Sequence, residues 1–168
     1  MTNTSLFIGR FQPFHKGHLS VALAALKKCD FLIIGIGSAE NHHEKDNPFT
    51  ARERWEMITN TLDEQDISRD HYTIIPVRNI NNYDLWVEHV ARLVPPFQSV
   101  YTGSPIVKKL FKNHDQFEVL DVDFIEKSRG TKVREQLKAN GDWESLVPTA
   151  VAEYLKNISG PARLQKIS

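Results

Sequence analysis

Ser5-Leu6-Phe7-Ile8-Gly9-Arg10-Phe11-Gln12-Pro13-Phe14-His15-Lys16-Gly17-His18 runs from an apolar strand pattern, through a polar turn marked by Pro13, into the start of a helix predicted over 17–28. The same strand, loop and helix unit recurs immediately. Phe31-Leu32-Ile33-Ile34-Gly35-Ile36 reads as a buried strand, 37–49 as a long loop and 51–62 as a helix, whose start carries a capping box of Thr50 and Glu53. Further strands are predicted over 72–77, 99–102 and 117–120, with helices over 84–93 and 105–111 between them and C-terminal helices over 131–139 and 148–157. Strands alternating with helices of about 10 to 14 residues need right-handed crossovers, which cover a parallel sheet on both faces. The expected fold is therefore α/β, a doubly wound, Rossmann-like five-stranded parallel sheet with C-terminal helices. Ligands of such sheets sit beyond the carboxyl ends of the strands, where strand order reverses. The loops after Ile8, Ile36, Val77 and Tyr101 are thus where chemistry is to be sought.

Composition bounds the rest. A chain of 168 residues can bury roughly 70% of its unfolded surface in one core, and residues 1–168 are expected to form a single domain. Hydrophobic residues at 40% and charged residues at 25%, with no biased tract, exclude a disordered or fibrous chain. The polar start Met1-Thr2-Asn3-Thr4-Ser5 lacks the regions of a signal peptide, and no apolar run is long enough to span a bilayer, so a cytoplasmic location is expected. Cys29 is the one cysteine, which excludes an internal disulfide and a Cys-rich zinc site. Twenty-one basic residues balance 21 acidic ones, so no global field draws the chain to nucleic acid or to a membrane. Any anion site must be local.

Common nucleotide signatures are missing. There is no Gly-x-x-x-x-Gly-Lys-Ser/Thr, and Gly35-Ile36-Gly37 is no dinucleotide fingerprint because Glu40 stands at the third glycine position. The first strand leads instead into a turn holding Arg10, His15, Lys16 and His18. Gly17 lets the backbone approach a ligand closely where the helix begins, and the unpaired N–H groups of a first helical turn bind anions. Near the other end, Ser128-Arg129-Gly130-Thr131-Lys132-Val133-Arg134 places a second polar turn at a helix start, with Thr131 as an adequate cap and Arg134 one turn in.

The pattern Gly-x-Phe-x-Pro-x-His-x-Gly-His over 9–18 resembles the signature of the nucleotidyltransferases that share the HIGH motif with class I aminoacyl-tRNA synthetases. The turn over 128–134 resembles the Ser-Gly-Thr-x-x-Arg phosphate motif of the same superfamily. Between them, Gly37-Ser38-Ala39, Asn47-Pro48-Phe49-Thr50-Ala51-Arg52-Glu53-Arg54, Leu85-Trp86-Val87, Tyr101-Thr102-Gly103-Ser104-Pro105 and Gly141-Asp142-Trp143 resemble the archaeal-type nicotinamide-nucleotide adenylyltransferases. The resemblance runs from Leu6 to about Ile158. It implies the HIGH-type nucleotidyltransferase fold and transfer of AMP from ATP to nicotinamide mononucleotide (NMN), giving NAD and pyrophosphate by direct in-line attack without a covalent intermediate. It further implies His15, His18 and Arg134 as the catalytic groups, and an ATP site of Gly9, Arg10, Phe11, His15, Gly17, His18, Ser128, Gly130, Thr131 and Arg134. By the same resemblance Ser38, Asn47, Asn81 and Trp86 bind NMN, Trp86 by stacking on the nicotinamide and an asparagine of the 79–82 loop by bonding its carboxamide. Mg²⁺ is expected only as Mg·ATP, without protein ligands of its own. No nucleic acid or membrane partner is expected, and the family forms homo-oligomers, hexamers among them.

The chain departs from the family pattern in two places. Arg129 stands where relatives commonly carry a serine, and Lys45-Asp46 precedes Asn47 where relatives can carry a basic residue. His42-His43-Glu44 has no zinc spacing and reads as part of a solvated loop. The phosphate motifs alone fit two other readings: transfer to another phosphorylated acceptor such as FMN or phosphopantetheine, and a nucleotide sensor without activity. On its length the chain is not expected to carry a fused Nudix hydrolase.

Overall fold

The computed structural model describes residues 2–121 and 129–167 and places strand β1 (Thr4–Gly9) in the middle of a five-stranded parallel sheet. Its neighbours are β2 (Phe31–Ile36) and β4 (Ser99–Tyr101), with β3 (Tyr72–Pro76) and β5 (Glu118–Leu120) at the edges, giving the order β3-β2-β1-β4-β5. Register follows the apolar residues: Ile8 lies opposite Gly35, Leu6 opposite Val100, and Ile34 opposite Ile74. Because strand order reverses between β1 and β4, the loops at their carboxyl ends diverge and leave a crevice. The doubly wound expectation holds.

Alternation along β1 feeds two cores. Phe7 points to one face with Leu32, Ile34 and Tyr101, covered by α1 (Lys16–Leu26), α2 (Ala51–Glu64), α5 (Gly130–Lys138), α6 (Thr149–Asn157) and α7 (Gly160–Ile167). Leu6, Ile8, Ile33 and Val100 point to the other, under α3 (Tyr83–Leu93) and α4 (Pro105–Lys112). The capping box at α2 is present in both directions, Glu53 N–H to Thr50 Oγ1 at 3.1 Å and Thr50 N–H to Glu53 Oε2 at 2.9 Å.

Most element ends lie within one or two residues of the sequence reading, and two differences change it. α5 begins at Gly130, so Arg129 occupies the cap position and Thr131 lies inside the first turn. Beyond Asn157, where the predicted helices end, Gly160–Ile167 form α7. Ser159 turns the chain with a φ of 56°, and Leu164 then fills the core while Arg163 grips Glu53 with two bonds of 2.7 and 2.8 Å.

Candidate active site

The crevice at the carboxyl end of the sheet is a cleft of about 830 Å³. The loop after β1 supplies one wall with Gly9, Arg10, Phe11, Gln12, His15 and His18, and the start of α5 supplies another with Arg129, Gly130, Thr131 and Arg134. Ser38 comes from the loop after β2, Arg78 and Asn79 from the loop after β3, Tyr83 and Trp86 from α3, and Thr102 to Val107 from the β4–α4 junction. Among the described lining residues four are arginines and none is Asp or Glu, so a chain without net charge presents a local anion site.

Hydrogen bonding fixes the two histidines chemically. His15 is the cap of α1: its Nδ1 accepts the His18 N–H at 3.3 Å, while the Nδ1 of His18 accepts the His15 N–H at 3.2 Å. With both Nδ1 atoms used as acceptors, each ring carries its proton on Nε2 and can donate it to a ligand oxygen. The rings stack at 3.5 Å and 20°, and Phe11 and Phe14 wedge His18 with centroids at 4.8 and 5.5 Å. Burial, with Arg134 nearby, drives the His15 pKa down to about 3, and burial holds His18 well below its ordinary value too. Both imidazoles are therefore neutral donors at physiological pH.

That depression makes stability depend on pH. Between about 6.5 and 3 the unfolded chain takes up a proton on residue 15 that the folded chain refuses, so stability is complete above about 6.5 and falls as pH drops through this window. The slope is up to about 1.4 kcal/mol per pH unit for one such histidine. Urea unfolding of the wild type and of His15→Asn, which keeps a capping acceptor, is expected to show a shallower decline for the variant below pH 6. Parallel declines would contradict it.

The arginines are positioned by carbonyls more than by acids. Arg134 donates to the Gln12 carbonyl at 2.9 Å and reaches the exposed Asp46 at 3.7 Å; burial and the nearby Arg10 lower its pKa. A Cβ on Gly130 would stand 3.0 Å from the Arg134 guanidinium, so glycine at that position makes room for the clamp. Arg10 leans on Asn47 Oδ1 at 3.4 Å. Among the described residues no side chain caps α5, and Gly130 and Thr131 of its first turn line the cleft beside Arg129.

Arg54 was given no role of its own in the sequence reading. It is fully buried and donates to four backbone carbonyls: Arg10 and Gly37 at 2.8 Å, and Ser38 and Thr50 at 3.2 Å. It ties the loop after β1 to the loop after β2 and to the start of α2. Burial, with Arg10 adding, lowers its pKa to about 10, which leaves it cationic behind the cleft. A signal was available, since Arg54 lies on the same helical stripe as Met57, Ile58, Thr61 and Leu62, all buried. Gln12 went unread as well. Its side chain bonds Phe49 N–H and C=O, both at 2.9 Å, and its carbonyl holds Arg134.

The remaining expected residues divide. Gly9 lines the cleft, and the Phe11 ring lies against it, 3.1 Å from where a Cβ would be. Phe11 has a φ of 53° and turns its ring into the core, so it borders the cleft without offering its face. Gly17 sits in the first turn of α1 beneath the cleft lining. Ser38 lines the cleft with a φ of 46°, which aims its carbonyl at Arg54. Asn47 is buried outside the lining and serves Arg10, and Asn81 is exposed outside it. Asn79 is the asparagine at the cleft; it accepts the Trp86 indole N–H at 3.0 Å, while Asn82 caps α3. Trp86 lines the cleft at 8% exposure with its edge against Phe111. Tyr83, exposed at the same wall, was not singled out from sequence. Ser128 lies outside the described residues. His42 and His43 meet each other at 2.8 Å on the surface, and no cluster of metal-ligating side chains occurs among the described residues.

The model of the cytidylyltransferase-like family matches residues 6–160. The nicotinamide-nucleotide adenylyltransferase of Archaeoglobus fulgidus is 44% identical over 169 residues, which cover 98% of this chain and 97% of that protein. The enzyme of the same name from Thermoplasma acidophilum is 42% identical over 98% of this chain and 91% of its own. Among solved structures, a bifunctional NMN adenylyltransferase/ADP ribose pyrophosphatase of Francisella tularensis, complexed with AMP and a manganese ion, superimposes with a TM-score of 0.74 at 25% identity. That match covers 99% of this chain and 52% of the other, so the chain spans about half the length of that protein.

Proposed function

The chain belongs to the cytidylyltransferase-like family, and from that membership and the geometry of the cleft we propose that it transfers AMP from ATP to NMN, forming NAD and pyrophosphate. The observation that carries the chemistry is the pair of Nε2–H donors on His15 and His18 beside Arg134 and the start of α5. The phosphate of NMN is already a strong nucleophile, so no covalent intermediate and no general base are needed. In-line attack on the α-phosphorus requires alignment, for which up to about 7–11 kcal/mol is available, and donors where charge grows on the phosphate oxygens.

In this reading His15 and His18 donate to those oxygens, Arg10 and Arg134 clamp the phosphates, and Gly130 and Thr131 offer their N–H groups to the triphosphate. Ser128 is assigned to the ATP site by the family resemblance alone, and Gly9 and Gly17 let backbone approach the nucleotide. Neutral histidines suit this task, because they stabilise growing charge by donation without holding the product pyrophosphate as cations would. Mg²⁺ enters as Mg·ATP, carried by the triphosphate and water; the lack of carboxylates among the described lining residues supports this. Residues 1–168 work as one nucleotidyltransferase domain in the cytoplasm. No helix among the described residues is long and apolar enough to cross a membrane. Homo-oligomer formation rests on the family resemblance.

The NMN ring stacks on Trp86, with Tyr83 three residues earlier on the same side of α3. A cationic pyridinium over an indole gains area and cation–π attraction of about 1–2 kcal/mol. Trp86→Ala is accordingly expected to raise the Michaelis constant for NMN roughly 10-fold or more with a smaller effect on that for ATP. An unchanged NMN constant would remove the stacking assignment.

The proposal is tested by incubating the purified protein with Mg·ATP and, separately, NMN, FMN or phosphopantetheine, and scoring dinucleotide and pyrophosphate by chromatography. NAD formed fastest is the expected result. Product from another acceptor alone would keep the phosphate chemistry and overturn the acceptor, and no product from any would favour a nucleotide sensor.

A further inference from the structure

A line of hydrogen bonds runs from the cleft to α7. Arg134 donates to the Gln12 carbonyl at 2.9 Å. Gln12 is 3% exposed, and its side chain holds Phe49 twice, Nε2 donating to the Phe49 carbonyl and Oε1 accepting the Phe49 N–H, both at 2.9 Å. Residues 48–50 are held in turn by Arg163. Its guanidinium donates to the Pro48 carbonyl at 3.2 Å, lies 5.7 Å from the centre of the Phe49 ring, and bonds the Glu53 carboxylate, whose Oε2 also accepts the Thr50 N–H at 2.9 Å. Arg163 is mostly buried where it does so, and α7, which carries it, also packs against α5, which carries Arg134. It lies beyond Ile158, where the resemblance read from the sequence ends.

Arg134 gains its orientation from this line. A free arginine side chain samples many rotamers, and ordering it when a phosphate binds costs affinity. A bond to a fixed carbonyl orients the planar guanidinium beforehand and leaves its other N–H groups for phosphate oxygens. That carbonyl is fixed only while Gln12 is, and Gln12 takes its position from the 48–50 backbone that Arg163 braces. Asp46 adds little, being exposed and 3.7 Å from the guanidinium. We propose that Gln12 and Arg163 are positioning residues, through which α7 sets the aim of Arg134 at the phosphates of ATP. This rests on the clamp role given to Arg134 under Proposed function.

A double-mutant cycle tests it. Gln12→Met and Arg163→Met are each made alone and together with Arg134→Ala, and kcat/KM for Mg·ATP, its Kd by calorimetry and Tm are measured for every protein. With Arg134 present, Gln12→Met is expected to lower kcat/KM about 10–100-fold, as a displacement on the order of 1 Å does, and Arg163→Met, one step further away, about 3–10-fold. In the Arg134→Ala background each is expected to change kcat/KM and Kd by less than about 2-fold, although Tm still falls. Arg163→Lys keeps a charge for Glu53 but cannot span Glu53 and Pro48 together, so it restores part of the loss. Gln12→Glu, which keeps the acceptor for the Phe49 N–H and lacks the donor, takes the place of Gln12→Met should that protein not fold. Equal losses in both backgrounds would show that the two residues only stabilise the fold and would overturn the proposal, as would wild-type kinetics for either folded single variant. A wild type that binds Mg·ATP but makes no NAD from NMN would overturn the acceptor reading, while the cycle in Kd would still decide this inference. A wild type that does not bind Mg·ATP would overturn the clamp role and this inference with it.

Discussion

His18→Ala is expected to lower kcat by about 10²–10³-fold, the usual cost of removing one donor aimed at charge that develops in the transition state. The Michaelis constants should move less, because the donor is worth most once the α-phosphate oxygens gain charge. The geometry makes the expectation specific. His18 Nδ1 is committed to the His15 N–H at 3.2 Å, which leaves Nε2–H as its one hydrogen to give, and the flanking Phe11 and Phe14 rings fix the direction of that bond. Loss of the imidazole also leaves the His15 N–H without its partner, so a stability cost of about 1 kcal/mol accompanies the kinetic one. Thermal unfolding measured beside the kinetics separates the two. Near-wild-type turnover by a folded His18→Ala protein would remove the donor role.

The second large effect is on folding. Arg54→Leu fills similar space, yet it removes the donor that serves four carbonyls: those of Thr50 and Ser38 keep the backbone N–H groups of residue 54 and Asn41, whereas those of Arg10 and Gly37 lose the guanidinium that serves them in the interior. Each buried acceptor left unsatisfied costs about 1–3 kcal/mol, and partial relaxation brings the expected total to roughly 3–5 kcal/mol. Against a typical stability of about 5–15 kcal/mol this is severe, and it corresponds to a fall in Tm of roughly 6–20 °C for a domain of this size. Arg54→Lys should fall between, since an ammonium with three hydrogens cannot span the arc that the planar guanidinium covers. Because these carbonyls belong to the loops that carry Arg10 and Ser38, surviving Arg54→Leu protein should also bind ATP less well. A Tm within about a degree of wild type would show that water replaces the guanidinium at little cost.

The sheet was legible because strand and helix periods alternate without ambiguity and the crossovers admit few topologies. That His15, His18, Gly130, Thr131 and Arg134 meet at one wall of the cleft was legible for a related reason: they sit at or within the first turns of α1 and α5, so position in sequence sets position in space. The wall formed by the loop after β3 and by α3 was less so. Loop side chains follow no period, and nothing in Asn79-Ile80-Asn81-Asn82 says that Asn79 meets the indole, Asn82 caps a helix and Asn81 faces solvent. Asn47 serves the site by bracing Arg10, a pairing across 37 residues that only the folded loops create. α7 was hidden because Ser159-Gly160-Pro161 reads as a stop, whereas glycine and proline in a first turn are also compatible with a helix start.

The central claim, direct transfer of AMP to NMN by an anion site of neutral donors, is tested most directly with ATP labelled at the α-phosphorus. Purified protein, Mg²⁺, labelled ATP and NMN are mixed, and label is followed in NAD, in AMP and in the protein while pyrophosphate is counted. The expected result is label entering NAD one for one with pyrophosphate released, with none retained on the protein. Label held covalently by the protein, or ATP consumed without labelled NAD, would contradict it.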